Sequence, residues 1–235
     1  MQQAVDVIKE LKRLSTPKKA AISRRFFKTG VGQYGHGDVF IGVTVPEQRA
    51  IAKKYKDLPL AEIQKLIRHK VHENRMTGLF ILAGQFQKAD EGTKDKLARF
   101  YLSHTKYINN WDLVDSSARQ ILGMYLLDKE RDILYKLAQS RDLWERRIAI
   151  IATQAFIMHD KYGDTLRIAK ILLKDDHDLI HKAVGWTLRE VGNRSARTEE
   201  AFLKQYEHQM PRTMLRYAIE KFSEKKRLLY LHKQS

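Results

Sequence analysis

No proline occurs between Leu60 and Met210. A proline inside a helix costs about 3 kcal/mol, so this long stretch is free to run as helix after helix. Its apolar residues recur three and four apart, as in Ile63, Leu66, Ile67 and again in Leu79, Leu82, Ala83, Phe86, which is the spacing of one buried helical face. The four prolines, Pro17, Pro46, Pro59 and Pro211, each stand just ahead of such a pattern. Proline suits the first helical turn, where its missing N–H goes unused. Gly92, Gly123, Gly163 and Gly192 are expected to act mostly as stops between helices. The reading is an all-α chain of short helices, roughly 10–16 residues each, joined by polar turns.

One region departs from the pattern. Five glycines, Gly30, Gly32, Gly35, Gly37 and Gly42, mark residues 30–45 as a flexible loop. Gly30-Val-Gly32-Gln-Tyr-Gly35 matches G-x-G-x-x-G literally, but that fingerprint needs a strand before it and a helix after it. A basic helical segment precedes it instead, so dinucleotide binding is set aside. Val39–Val45 could form a short strand, with no second strand to pair with.

A longer period is also present. Arg75, Trp111, Arg147 and Ala183 follow one another at 36-residue steps, and Arg216-Tyr217-Ala218-Ile219 echoes His181-Lys182-Ala183-Val184 at 35. Helix pairs at this period describe a HEAT- or armadillo-like solenoid. We therefore expect one domain over residues 1–235, with successive repeats lining a concave basic groove.

Charge indicates the partner. Lys and Arg number 44 against 28 Asp and Glu, a formal net charge of +16, which favours nucleic acid. Absence of cysteine excludes disulfides, thiolate zinc sites and cysteine nucleophiles. The uncharged runs Met76–Gln87 and Ile148–His159 are too short to span a bilayer. The N-terminus has basic residues in an amphipathic pattern and no apolar signal core, so we expect a cytoplasmic monomer with no membrane partner. His177 and His181, beside Asp175, Asp176 and Asp178, have the spacing of metal ligands, but such residues at a helix start more commonly serve as caps. We expect neither metal nor cofactor.

Within the repeats, Asp115 lies one helical turn after Trp111, and Trp186 three residues beyond Ala183. If the repeat positions align, Trp111, Asp115, Arg147 and Trp186 converge on one patch. Tryptophans at helical spacing often belong to a core. The polar flank of Trp111 (Asn109, Asn110, Asp112) argues for a site, and Trp144 is assigned to packing.

Asn110-Trp-Asp-Leu-Val-Asp115, Trp144-Glu-Arg-Arg147, Ala183-Val-Gly-Trp-Thr-Leu-Arg-Glu190 and Gly42-Val-Thr-Val-Pro-Glu-Gln-Arg49 together resemble the AlkD-like DNA alkylation repair family over nearly the whole chain. The resemblance implies a glycosylase that excises cationic purines such as 3-methyladenine and 7-methylguanine from double-stranded DNA. By motif it places the family's cleft tryptophans on Trp111 and Trp186, its catalytic aspartate on Asp115 and its cleft arginine on Arg147. A tryptophan preceding the first one in some members is Asn110 here, and a second-helix tyrosine is Phe26. Expected DNA contacts are Phe26, Arg146, Lys182, Arg189, Arg212 and Arg216. Lys182 is the one lysine near these motifs, and no Schiff-base step is expected. The other reading is a non-catalytic HEAT-like scaffold binding nucleic acid or an acidic protein.

Overall fold

A computed structural model describes residues 2–232. The chain divides between Ile121 and Leu122 into two compact units. The first contains α1 (Ala4–Leu14), α2 (Pro17–Phe26), α3 (Val45–Lys54), α4 (Leu60–Ile67), α5 (His72–Lys88), α6 (Glu91–Leu102) and the short α7 (Trp111–Asp115). The second contains α8 (Asp132–Ala138), α9 (Leu143–Ala152), α10 (Gln154–Ile157), α11 (Gly163–Ile171), α12 (Asp178–Arg194), α13 (Ala196–Tyr206), α14 (Arg212–Ala218) and α15 (Glu224–His232). Among the described residues, pairing of extended backbone is confined to one parallel bridge between Val39 and Val71. The fold is all-α.

All four prolines stand at helix starts. Pro17 opens α2, Pro46 lies in the first turn of α3, and Pro59 and Pro211 precede α4 and α14. Side chains satisfy the first free N–H groups elsewhere: Asp90 accepts from Thr93 N at 2.7 Å and Asp142 from Trp144 N at 2.7 Å. The glycines behave differently from expectation. Gly92 and Gly163 fall at the beginnings of α6 and α11, and Gly192 lies inside the last turn of α12.

In the first unit α5 packs against α3 and α4, burying Leu66, Ile67, Leu79 and Leu82. In the second, α12 is the hub for α9, α13 and α14 around Ile148, Ile151, Val184, Leu188 and Leu215. Equivalent bonds recur in three of these helices. The fourth residue of each reaches back to the carbonyl six positions earlier. Arg75 Nη1 donates to His69 O (3.2 Å), Arg146 Nη1 to Ser140 O (3.0 Å), and His181 Nε2 meets Asp175 O. This series sets the local register one residue away from the 36-residue count, pairing Arg75 with Arg146 in place of Arg147. Trp111 opens α7, whereas Arg147 is the fifth residue of α9.

Candidate active site

The first turns of α5 are buried on every side, although they include His72, Glu73, Asn74 and Arg75. Burying unpaired charge costs several kcal/mol, so each of these groups must find a partner. The glycine-rich segment between α2 and α3 provides them. Glu73 accepts N–H bonds from Ile41 (3.0 Å), Gly42 (2.8 Å) and Val43 (3.4 Å). Asp38 takes Arg75 Nη2 on one oxygen at 2.5 Å. Its other oxygen meets His72 Nδ1 at 3.2 Å and Asn110 Nδ2 at 3.0 Å. Gly42 has φ +82°, and a Cβ there would stand 2.4 Å from Thr16 O and 2.5 Å from Ala20 N. Only glycine lets the segment lie this close to α2. The loop is therefore clamped onto the helices it joins.

This clamp continues to α7. Asn110, fully buried, caps the helix by accepting from Trp111 N at 2.8 Å. Asp112 accepts from Leu113 N through one oxygen and meets His72 Nε2 at 2.8 Å through the other. Burial opposes a charge on His72, but Asp112 and then Asp38 outweigh it and push the imidazole up to about 9. Burial likewise tends to raise Asp38, while the bond from His72 and the Arg75 charge hold it below the usual carboxylate range.

Trp111, half-buried, stacks on Phe27 (5.2 Å between centroids, 26°), and Phe27 stacks in turn on Phe40, which stacks on His72. Phe26 is 62% exposed and meets the Trp111 ring edge-on at 5.8 Å. Tyr34 OH accepts from Trp111 Nε1 at 3.2 Å and donates to Phe26 O at 3.4 Å. Asp115 closes the same helix and is also half-buried. Below it, Tyr101 bonds Ser117; burial, with a smaller push from the Asp115 charge, raises its phenol. Trp111, Asp115 and Phe26 thus belong to one unit, with Trp111 common to the aromatic cluster and to the helix that carries Asp115.

The other expected site residues lie in the second unit. Arg147 is buried and donates to Leu179 O at 2.5 Å, tying α9 to the start of α12. Trp186 is half-buried, its indole donating to Glu190 at 2.9 Å. Lys182 pairs with Asp178 at 2.7 Å, Arg146 with Asp175 at 2.6 Å, and Arg189 with Glu220 and Glu190. Arg212 and Arg216 are exposed on α14. Trp144 is buried at 8% exposure, as packing requires. His177 caps α12, accepting from Leu179 N at 3.1 Å, and Asp175 also accepts from His177 N. These contacts account for the His177–His181 spacing without a metal. Among the described residues no group of three or more His, Asp or Glu side chains is arranged to hold one, and no helix is long and apolar enough to cross a membrane.

Residues 7–222 match the family described as DNA alkylation repair enzyme. The chain belongs to this family. Its fold is similar to a solved structure described as a predicted DNA alkylation repair enzyme from Enterococcus faecalis. That likeness has a TM-score of 0.69 at 17% identity, over 89% of this chain and 97% of the other. No curated protein matches the chain. In this member of the family, the residues that sequence reasoning missed are Tyr34, Asp38, Phe27, Phe40 and His72. A usable signal was present, because charged residues opening a helix that is apolar further along must be buried with partners. The polar flank of Trp111 also proves structural: Asn110 and Asp112 hold α7 in place.

Proposed function

We propose that the chain is a monofunctional DNA glycosylase that hydrolyses the N-glycosidic bond of cationic alkylated purines such as 3-methyladenine and 7-methylguanine in double-stranded DNA. The observation that carries this reading is a half-buried indole and a half-buried carboxylate, Trp111 and Asp115, on one helical turn of a DNA alkylation repair family member. Alkylation at N3 or N7 makes the base a cation, and it departs neutral without a general acid. The positive, oxocarbenium-like sugar is then what needs stabilising. An indole face contributes about 0.5–2 kcal/mol to a cation. A carboxylate about 4 Å away contributes about 4 kcal/mol at an effective dielectric of 20, and it can also take a proton from the attacking water. Asp115 is therefore assigned the larger share, with Trp111 and Trp186 as cation-facing indoles. Arg147, permanently protonated and so no base, is assigned to holding a backbone phosphate or positioning Asp115. Phe26, Arg146, Lys182, Arg189, Arg212 and Arg216 are assigned to DNA.

The test is release of methylated base from alkylated duplex by the pure protein, with Asp115→Asn alongside. Wild type should release base, and the variant should lose roughly 10²–10⁴ in single-turnover rate while DNA affinity holds or rises slightly. Absence of release by wild type would favour a non-catalytic DNA-binding scaffold. Equal rates would make Asp115 structural.

A further inference from the structure

The buried charges of the first unit meet at His72. One ring nitrogen faces Asp38 of the glycine-rich loop, and the other faces Asp112 in the first turn of α7. Arg75, from the same helix as His72, approaches Nδ1 at 3.5 Å and shares Asp38. Glu73 turns to the loop amides. The side chains of His72 and Asp38 are 3% and 5% exposed, so water cannot replace either partner. Every route by which this cluster reaches α7 ends beside Trp111: through Asp112, through the Asn110 cap shared with Asp38, and through the ring stack His72–Phe40–Phe27–Trp111.

We infer that His72, as an imidazolium bridging Asp38 and Asp112, is the positioning residue that fixes Trp111 for excision. The inference rests on the glycosylase reading for its consequence, though not for its geometry. Loop and helix are tied by this bridge, by Asn110, by the stacked rings and by the Trp111–Tyr34 hydrogen bond. Loss of the His72 proton removes the charge from between the buried Asp38 and the part-buried Asp112, and leaves Arg75 on Asp38 alone. The first turn of α7 then loosens, and the indole with it. His72 is held up to about 9, so the bridge is intact at neutral pH and is lost as pH rises through that value.

The experiment uses the full chain with Trp144→Phe and Trp186→Phe, which leaves Trp111 as the sole indole. Its emission should shift to the red as pH rises through about 9. Asp112→Asn removes the largest influence favouring the imidazolium, and should move that midpoint down toward the ordinary histidine range. His72→Gln should abolish the titration. A change originating in Tyr34 would be unmoved by Asp112→Asn. Single-turnover excision, measured with Trp144 and Trp186 intact, should fall over the same pH range, with the midpoint again displaced in Asp112→Asn. His72→Gln should lower the rate about 10–100-fold, the scale of a misplaced reacting group, with DNA affinity little changed. Flat Trp111 emission, or a midpoint insensitive to Asp112→Asn, would overturn the inference, and Asp112→Asn decides it even if His72→Gln does not fold. Normal titration of Trp111 in a protein that releases no base would sustain the positioning role and reject the glycosylase reading alone.

Discussion

Gly185 precedes Trp186 in α12, and the backbone of α14 lies directly against it. A Cβ at this position would stand 2.4 Å from Met214 O and 2.5 Å from Tyr217 Cβ. Ordinary contact begins near 3.4 Å, so α12 and α14 would have to separate by about 1 Å. Neither opposing atom can rotate away, since one is backbone and the other is fixed to it. Gly185→Ala gains up to about 1 kcal/mol in helix propensity and loses about 1–3 kcal/mol or more to overpacking. The clash wins, by about 1–2 kcal/mol, which lowers Tm by roughly 2–8 °C in a chain of this size. Gly84→Ala in α5 is the control, because a Cβ there meets nothing within 4 Å. It should raise Tm through propensity alone. Paired thermal melts check the sign of both. A Gly185→Ala protein as stable as its parent would show that the helices tolerate separation, and the claim that glycine sets their spacing would fail. Because Trp186 rides on the same turn, excision by Gly185→Ala should fall below the parent even well under its Tm.

Two further outcomes are expected. Burial and the neighbouring Glu200 push Glu199 up to about 8, against the pull of Lys226 and Arg189. Its raised value means stability fully present below the ordinary glutamate range and lost as pH rises through 8. Glu199→Gln should match the parent near pH 4.5 and exceed it by about 2–4 kcal/mol above pH 8; coincident stability profiles would refute this. DNA binding should be largely independent of sequence and steep in salt, log K falling with log salt at a slope near −5 for about six phosphate contacts. Salt-insensitive binding would point to a protein partner.

The helices were legible because their signals are local. Proline at a helix start and apolar residues three and four apart act within one or two turns, and the structure keeps all four proline positions. Glycine was harder to read, since its role depends on what lies opposite. Gly192 sits within α12 because the Glu199 carboxylate occupies the space its side chain would fill, a contact invisible in the flanking sequence. The repeat was legible to within a residue between α5 and α9, but not at Trp111, which opens α7. A spacing of 36 aligns Arg75 with Arg147, but the carbonyl bonds align it with Arg146, since a repeat is defined by where each helix begins and turns of unequal length move that point.

For the site, the legible part was the residues that differ from their surroundings in chemistry: tryptophan, and a carboxylate one turn away. Their supports were illegible because the partners are far apart in the chain, Asp38 to Arg75, Asp38 to Asn110, His72 to Asp112. Each residue of that set has a bland local explanation. Asn110 and Asp112 read as a polar flank, and Asp38 as part of a flexible loop. What singles them out is collective: a buried carboxylate is costly unless a cation meets it, and a buried cation likewise. The glycine-rich segment is consequently the reverse of a flexible loop in function. Its glycines allow close approach at Gly42, its amides satisfy Glu73, and its one buried acid fixes three side chains. A segment with little side-chain bulk can reach this near to two helices, and that nearness is what brings Tyr34 and Phe40 within range of the stack that ends at Trp111.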